Sequence, residues 1–255
     1  MIKFENIKKE FKEDFWKKKN SVLDDVSFEI GCGEIVGFLG ANGAGKTTSL
    51  KIMMGFIKAT SGKVVFDKSL GISHKEIMSK IGYLPERPYF YPHLTGREFI
   101  RYVSKLGDVT ESDFALRLKK WSMAFRIDFA LDRKLSGYSK GMLQRIGFVT
   151  TLIHDPKIVI LDEPLSGLDP TGRKEIKDVM LSLKREGKTV FFSSHIVSDV
   201  EEVCDDVIVL ENGSIVYEGS IDKLIRKNMH PNYRIKVLNE NLDLLKESYK
   251  VIDEK

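Results

Sequence analysis

Apolar residues change their spacing several times along this chain, and each change marks an element. Over residues 2–7 and 22–30 they alternate or cluster as in strands, with Val26, Phe28 and Ile30 at period two. Gly31 and Gly33 then turn the chain into Ile35-Val36-Gly37-Phe38-Leu39, a short run that reads as a buried strand. From 48 to 56 the spacing of Leu50, Met53 and Met54 becomes helical. Lys63-Val64-Val65-Phe66 and Ile81-Gly82-Tyr83-Leu84 read as further strands.

Between residues 95 and 153 helices dominate. Thr95 and Glu98 form a capping box ahead of Phe99, Ile100, Tyr102, Val103 and Leu106; a second helix is predicted over 111–123, and a third starts near Ser139. Strands return with Lys157-Ile158-Val159-Ile160-Leu161, continuously apolar as a strand covered on both faces should be. A helix over 171–186 leads to a strand over 189–193, and Asn212-Gly213 joins 207–210 to 214–217 as a hairpin with a type I′ turn. The remainder is sparsely patterned, with a small helical tail and one more strand over 233–237. The pattern predicts an α/β protein whose parallel-sheet core is interrupted by a helical insertion.

Composition narrows the classes. At 255 residues the chain can bury a large core, and a net charge of +4 leaves no strong nucleic-acid footprint. The densest basic stretch, Lys8 to Lys19, is interrupted by Glu10, Glu13 and Asp14 and reads as a solvated surface loop, with a membrane-headgroup or nucleic-acid contact as the alternative. Cys32 and Cys204 lie far apart without companion histidines, which suits a reducing compartment and argues against zinc or a disulfide framework. No apolar run approaches the roughly 18 residues that span a bilayer, and the N-terminus has no signal-peptide core. The expectation is a soluble, cytosolic protein unless a partner holds it to a membrane.

The chemistry begins where the buried strand ends. Gly40-Ala41-Asn42-Gly43-Ala44-Gly45-Lys46-Thr47 spells G-x-x-x-x-G-K-T between a strand and a helix that opens at Thr48. Glycines let successive backbone N–H groups point into one concavity, and the helix N-terminus adds partial positive charge. Lys46 would reach the β- and γ-phosphates of a nucleoside triphosphate, and the Thr47 hydroxyl would hold Mg²⁺. Downstream, the strand ending at Leu161 runs into Asp162-Glu163-Pro164. Adjacent carboxylates at the end of a buried strand need a counter-charge. Mg²⁺ on a triphosphate supplies one: Asp162 would coordinate it, and Glu163 would orient or deprotonate an attacking water.

With these residues in place the chain resembles the nucleotide-binding subunits of ATP-binding-cassette (ABC) transporters over residues 1–219. Tyr138-Ser139-Lys140-Gly141-Met142 resembles the signature motif, usually Leu-Ser-Gly-Gly-Gln; Ser166-Gly167-Leu168-Asp169 resembles the D-loop; His195 resembles the switch histidine; and Pro85-Glu86 stands in the place of the Q-loop. Asp24-Asp25-Val26-Ser27-Phe28, before a Gly-x-Gly-Glu, also recurs in that family. The resemblance implies a P-loop NTPase cassette with an antiparallel β subdomain and a helical subdomain over about 88–154, followed by a C-terminal extension over 220–255. It implies ATP and Mg²⁺ as ligands, with Glu86 beside Asp162 and Thr47 at the metal. Ser139, Gly141 and Asp169 are expected to complete the ATP site of a second cassette, identical or not, so that two subunits sandwich two ATPs. His195 is expected at the γ-phosphate, and a separate membrane permease is the implied partner, holding the subunit to the inner face of the membrane.

Four departures stand out. Glu86 replaces glutamine, Tyr138 replaces leucine, Lys140 replaces a glycine and Met142 replaces glutamine. Such changes resemble the drug, polysaccharide and sodium exporter branch, which makes export the expected direction. The adenine-stacking ring is Phe11, Phe15 or Trp16, with Phe11 favoured. Tyr89, Phe90 and Tyr91 read either as a docking groove for a permease helix or as subdomain core. A soluble cassette acting on nucleic acid or ribosomes is the alternative. It is disfavoured because the chain lacks the long coiled coil of the first kind and the paired cassettes of the second, so no nucleic-acid partner is expected. A metabolite kinase with a phosphate loop would leave Ser139, Gly141 and Asp169 unexplained.

Overall fold

The computed structural model describes residues 1–11 and 20–228, and the described residues up to Ile221 form one compact unit. The chain opens with β1 (Ile2–Phe11) and β2 (Asn20–Ile30), then β3 (Ile35–Leu39), helix α1 (Lys46–Met53) and β4 (Ser61–Phe66). β1 pairs antiparallel with both β2 and β4 to give a three-stranded sheet in the order β2-β1-β4. The larger sheet adds β5 (Ile81–Leu84), β6 (Ile158–Leu161), β7 (Thr189–Ser194), β8 (Asp206–Glu211) and β9 (Ser214–Ser220). Its six strands run β5-β6-β7-β3-β8-β9, all parallel except the β8–β9 hairpin. Every residue of β3, β6 and β7 is buried, which is why these strands are apolar without alternation. At the hairpin, Asn212 and Gly213 have φ of 48° and 79°, the two positive values a type I′ turn needs.

The two sheets share a core. Phe4 stacks on Phe28 at 4.4 Å between centroids, Phe28 reaches Phe38 at 5.6 Å, and Phe38 stacks on Phe191 at 5.4 Å. Leu50 and Met53 of α1 pack into the same cluster. Helix α1 starts two residues before the predicted Thr48 and stops short of Phe56. Gly45 serves as its N-cap, and Gly55 at φ 71° ends it, with the Phe56 N–H donating to Lys51 O at 2.9 Å.

After the short α2 (His74–Met78), the region between β5 and β6 holds α3 (Gly96–Leu106), α4 (Glu111–Ala124) and α5 (Lys140–Leu152). The capping box is present: the Glu98 N–H donates to Thr95 Oγ1 at 3.2 Å, and the Thr95 N–H to Glu98 Oε2 at 2.8 Å. Phe148 of α5 stacks on Phe125 at 5.0 Å, tying α5 to the end of α4. Helices α6 (Pro170–Arg185), α7 (Val197–Glu201) and α8 (Ile221–Asn228) complete the described chain. The strand predicted over 233–237 and residues 12–19 of the basic stretch lie outside the described residues. At the near end of that stretch, Lys8 pairs with Asp24 at 2.9 Å and Lys9 donates to Lys58 O at 2.8 Å. Among the described residues no helix is long and apolar enough to cross a membrane.

Candidate functional site

β3, β7 and β6 lie side by side and parallel, so the turns that follow them leave the sheet along one edge, where open α/β sheets bind ligands. The first turn is the glycine loop. A β-carbon on Gly40 would sit 2.4 Å from Leu210 O, and one on Gly45, at φ 112°, 2.6 Å from Leu23 Cδ2. Only glycine lets the backbone lie this close to its neighbours. The loop delivers Lys46 and Thr47 to the start of α1, which has no acidic residue in its first turn and no side-chain cap. Its first amides and its dipole are therefore free for an anion. The Lys46 side chain, 6% exposed, donates to Gly40 O at 2.7 Å and Ala41 O at 3.2 Å and pairs with Glu163 Oε1 at 3.2 Å.

The second turn carries the carboxylates. Asp162 is 1% exposed; its Oδ1 accepts from Ser193 Oγ at 2.7 Å and Thr47 Oγ1 at 3.2 Å. Its Oδ2 is equally dry and has no hydrogen-bond partner among the described residues. Burial pushes the Asp162 carboxyl pKa up, the Ser193 and Thr47 hydrogen bonds pull it down, and the charges of Glu86 and Glu163 push it up further. A buried, unpartnered carboxylate oxygen beside a threonine hydroxyl fits a hard divalent cation. Among the described residues no cluster of three or more His, Cys, Asp or Glu could cage a metal alone. That donor set suits Mg²⁺ held jointly by protein, water and phosphate.

Glu163 sits at φ 49°, a left-handed conformation that costs a non-glycine residue roughly 1–3 kcal/mol. Its N–H donates to Ser193 Oγ at 2.8 Å, and its Oε2 lies 2.9 Å from His195 Nδ1. His195 comes from the third turn, directly after β7. One serine hydroxyl thus accepts from the Glu163 backbone while donating to Asp162.

These residues face a cleft of about 440 Å³, lined by Asn42, Gly43, Gly45, Lys46, Thr47, Thr48, Glu86, Glu163 and His195, with Ser166 and Val22 beside them. Gly40, Ala41 and Ala44 are not part of this lining: the first two give carbonyls to Lys46, and Ala44 O accepts from the Gly213 N–H at 3.1 Å. Glu86 is half-exposed, with Arg87 Nε 3.7 Å from its carboxylate.

The structure does not bring Ser139, Gly141, Asp169 or Phe11 into this cleft. Ser139 caps α5, its Oγ accepting from the Met142 N–H at 3.3 Å, and Gly141 has open space around its α-carbon. Asp169 caps α6 ahead of Pro170, accepting from the Gly172 N–H at 2.9 Å, and that cap starts the helix one residue before the predicted Thr171. Phe11 is 40% exposed with Lys9 Nζ 4.7 Å from its ring centre; Phe15 and Trp16 lie outside the described residues. Lys140 lies across Gly167, and Gln144 Nε2 donates to Pro164 O at 3.2 Å, so α5 touches the segment that follows the carboxylates. Tyr138, in place of leucine, donates its buried hydroxyl to Ala130 O at 2.5 Å.

One site residue escaped the sequence reading. Ser193 looked like the end of an apolar strand; its signal was a polar Ser193-Ser194-His195 run at the carboxyl end of that strand.

A glycine loop, a lysine, a dry aspartate and a glutamate–histidine pair on one sheet edge define a P-loop nucleotide-binding protein. The sequence pattern of the ABC transporter family matches residues 23–166. The chain is 39% identical over 246 residues to an uncharacterized ABC transporter ATP-binding protein, all4389, of Nostoc sp., an alignment covering 95% of this chain and 72% of that one. A solved ATP-binding subunit of an ABC transporter superposes with TM-score 0.77 at 28% identity, over 89% of this chain and 92% of its own. A dimeric cassette, MJ0796, bound to ADP and Pi shares the fold with TM-score 0.77 at 24% identity, over 87% of this chain and 99% of that one. The chain belongs to the ABC transporter family as an ATP-binding subunit.

Proposed function

We propose that this subunit hydrolyses ATP as one of a pair of cassettes and that the cycle drives a separate membrane permease, in the export direction. The observation that carries the reading is the edge where Lys46, Thr47, the unpartnered Asp162 oxygen and the Glu163–His195 pair converge.

Lys46 and the amides at the start of α1 would bind the β- and γ-phosphates; Thr47 and Asp162 would hold Mg²⁺, with Glu86 as a further candidate ligand. When bound, the ion neutralises charge on the phosphate oxygens. Glu163 positions the attacking water and accepts its proton, while His195 holds the second carboxylate oxygen in place and lies near the γ-phosphate. Because a phosphate must draw Lys46 away from two loop carbonyls and Glu163, binding also loosens the glutamate for its task. Ser139, Gly141 and Asp169 lie outside their own cleft, which supports their serving the cleft of the second cassette, as does the dimeric state of the similar cassette MJ0796. Stabilisation is then electrostatic and positional, and the differential affinity of the closed and open dimers for ATP moves the permease. The pairing with a permease follows the family. Of the three candidate docking aromatics, Phe90 turns inward onto Phe99 at 5.1 Å, whereas Tyr89 is 80% exposed beside Tyr91.

Glu163→Gln tests the reading. Retained ATP binding, a dimer trapped by ATP in light scattering and a loss of turnover of at least about a hundredfold are expected. Unaltered turnover would remove Glu163 as the base.

A further inference from the structure

Of three oxygens in this region that are dry and lack a hydrogen-bond partner among the described residues, Glu163 Oε1 ion-pairs with Lys46; the other two are Asp162 Oδ2, already assigned to the cation, and the hydroxyl of Tyr83. The register explains why both occur together. Tyr83 of β5 lies opposite Ile160 of β6, and Asp162 follows Ile160 by two residues, so the strand alternation puts all three on one face of the sheet. That face is covered by α1 and the residues after it: the Tyr83 ring meets Phe56 edge-on at 5.5 Å and packs against the cluster containing Ile160 and Leu50. A buried phenol usually finds an acceptor, and leaving one unmet is costly. Phenylalanine would fill the same space without that cost. Burial, and then the charge of Asp162, push the Tyr83 pKa up, so the hydroxyl keeps its proton and acts as a donor.

We propose that Tyr83 is a positioning residue for the divalent cation: its hydroxyl donates to a water in the hydration shell of the ion held by Asp162 and Thr47. This rests on the nucleotide reading above and deepens it. Mg²⁺ keeps several waters when it binds through one carboxylate and phosphates, so an outer donor can set the orientation of the shell. A second carboxylate there would raise the charge cost, whereas a neutral phenol orients without adding charge.

The test uses the full chain with ATP and Mn²⁺ as the probe, comparing the native protein with Tyr83→Phe and Asp162→Asn. In EDTA, Tyr83→Phe should bind ATP as the native protein does and melt at the same temperature or higher, because a dry, unmet hydroxyl has been removed. With ATP present, its Mn²⁺ affinity, read from the free-ion electron paramagnetic resonance signal, should fall on the order of tenfold, and the bound-ion spectrum should change. Asp162→Asn should lose Mn²⁺ more completely. Native-like Mn²⁺ affinity and spectrum in Tyr83→Phe would overturn the proposal and leave the nucleotide reading standing. An equal loss of ATP affinity in EDTA would also overturn it, by making Tyr83 a packing residue. Failure of the native chain to take up Mn²⁺ with ATP would overturn both.

Discussion

Ser193 bears more on the candidate site than a single hydroxyl suggests, because it donates to Asp162 and accepts from the Glu163 N–H. Ser193→Ala should leave that buried N–H unmet and cost about 1–3 kcal/mol, measurable by denaturant unfolding. Turnover should fall by roughly 10–100-fold, since two positioned carboxylates lose their common support. Such a residue is hard to read from a chain. Lys46, Thr47, Asp162 and Glu163 announce themselves because a glycine loop or an apolar run fixes their place in sequence. The value of Ser193 arises only when β7 is laid between β3 and β6, an order that no local pattern encodes. Tyr83 is hidden for the same reason, since its importance depends on β6 being its neighbour.

Among elements, the helix caps separate structural from functional duty. Asp169 caps α6 through the Gly172 N–H, so Asp169→Ala should cost roughly 0.5–2 kcal/mol of stability. A loss of turnover far larger than this predicts, with ATP binding by the isolated subunit preserved, is expected if Asp169 serves the facing cassette. The helical insertion has its own pH signature. His154, just past α5, is half-buried with its Nε2 3.2 Å from Ile81 O; partial burial pulls its pKa below the ordinary 6.5, the Ile81 carbonyl partly offsets this, and Arg117 adds to the depression. The unfolded chain therefore takes up a proton below pH 6.5 that the folded protein refuses, so stability is full above that value and falls as pH drops toward the folded pKa. Urea midpoints measured from pH 7.5 to 5 should show this slope, and His154→Gln should flatten it. The elements themselves were largely legible: alternation in β2, the apolar runs of β3 and β6, the Thr95 box and the Asn212 turn all use short-range rules. Helix ends were less so, because the glycine-capped α1 and proline-led α6 begin before their apolar periodicity does.

At the scale of the molecule, the proposed docking face makes a separate prediction: Tyr89→Glu should leave ATP hydrolysis by the isolated subunit unchanged while abolishing its recovery with the permease from membranes. The single-edged sheet also has a practical result. Cys32 is exposed just before β3, whereas the cleft opens beyond the other end of that strand, some five residues or about 16 Å away. The second thiol, Cys204, is buried, and burial pushes its pKa up, so little of it is in the reactive thiolate form. The native protein thus carries its own attachment point for a fluorophore, remote from the chemistry, through which the proposed pairing of two cassettes could be watched without engineering.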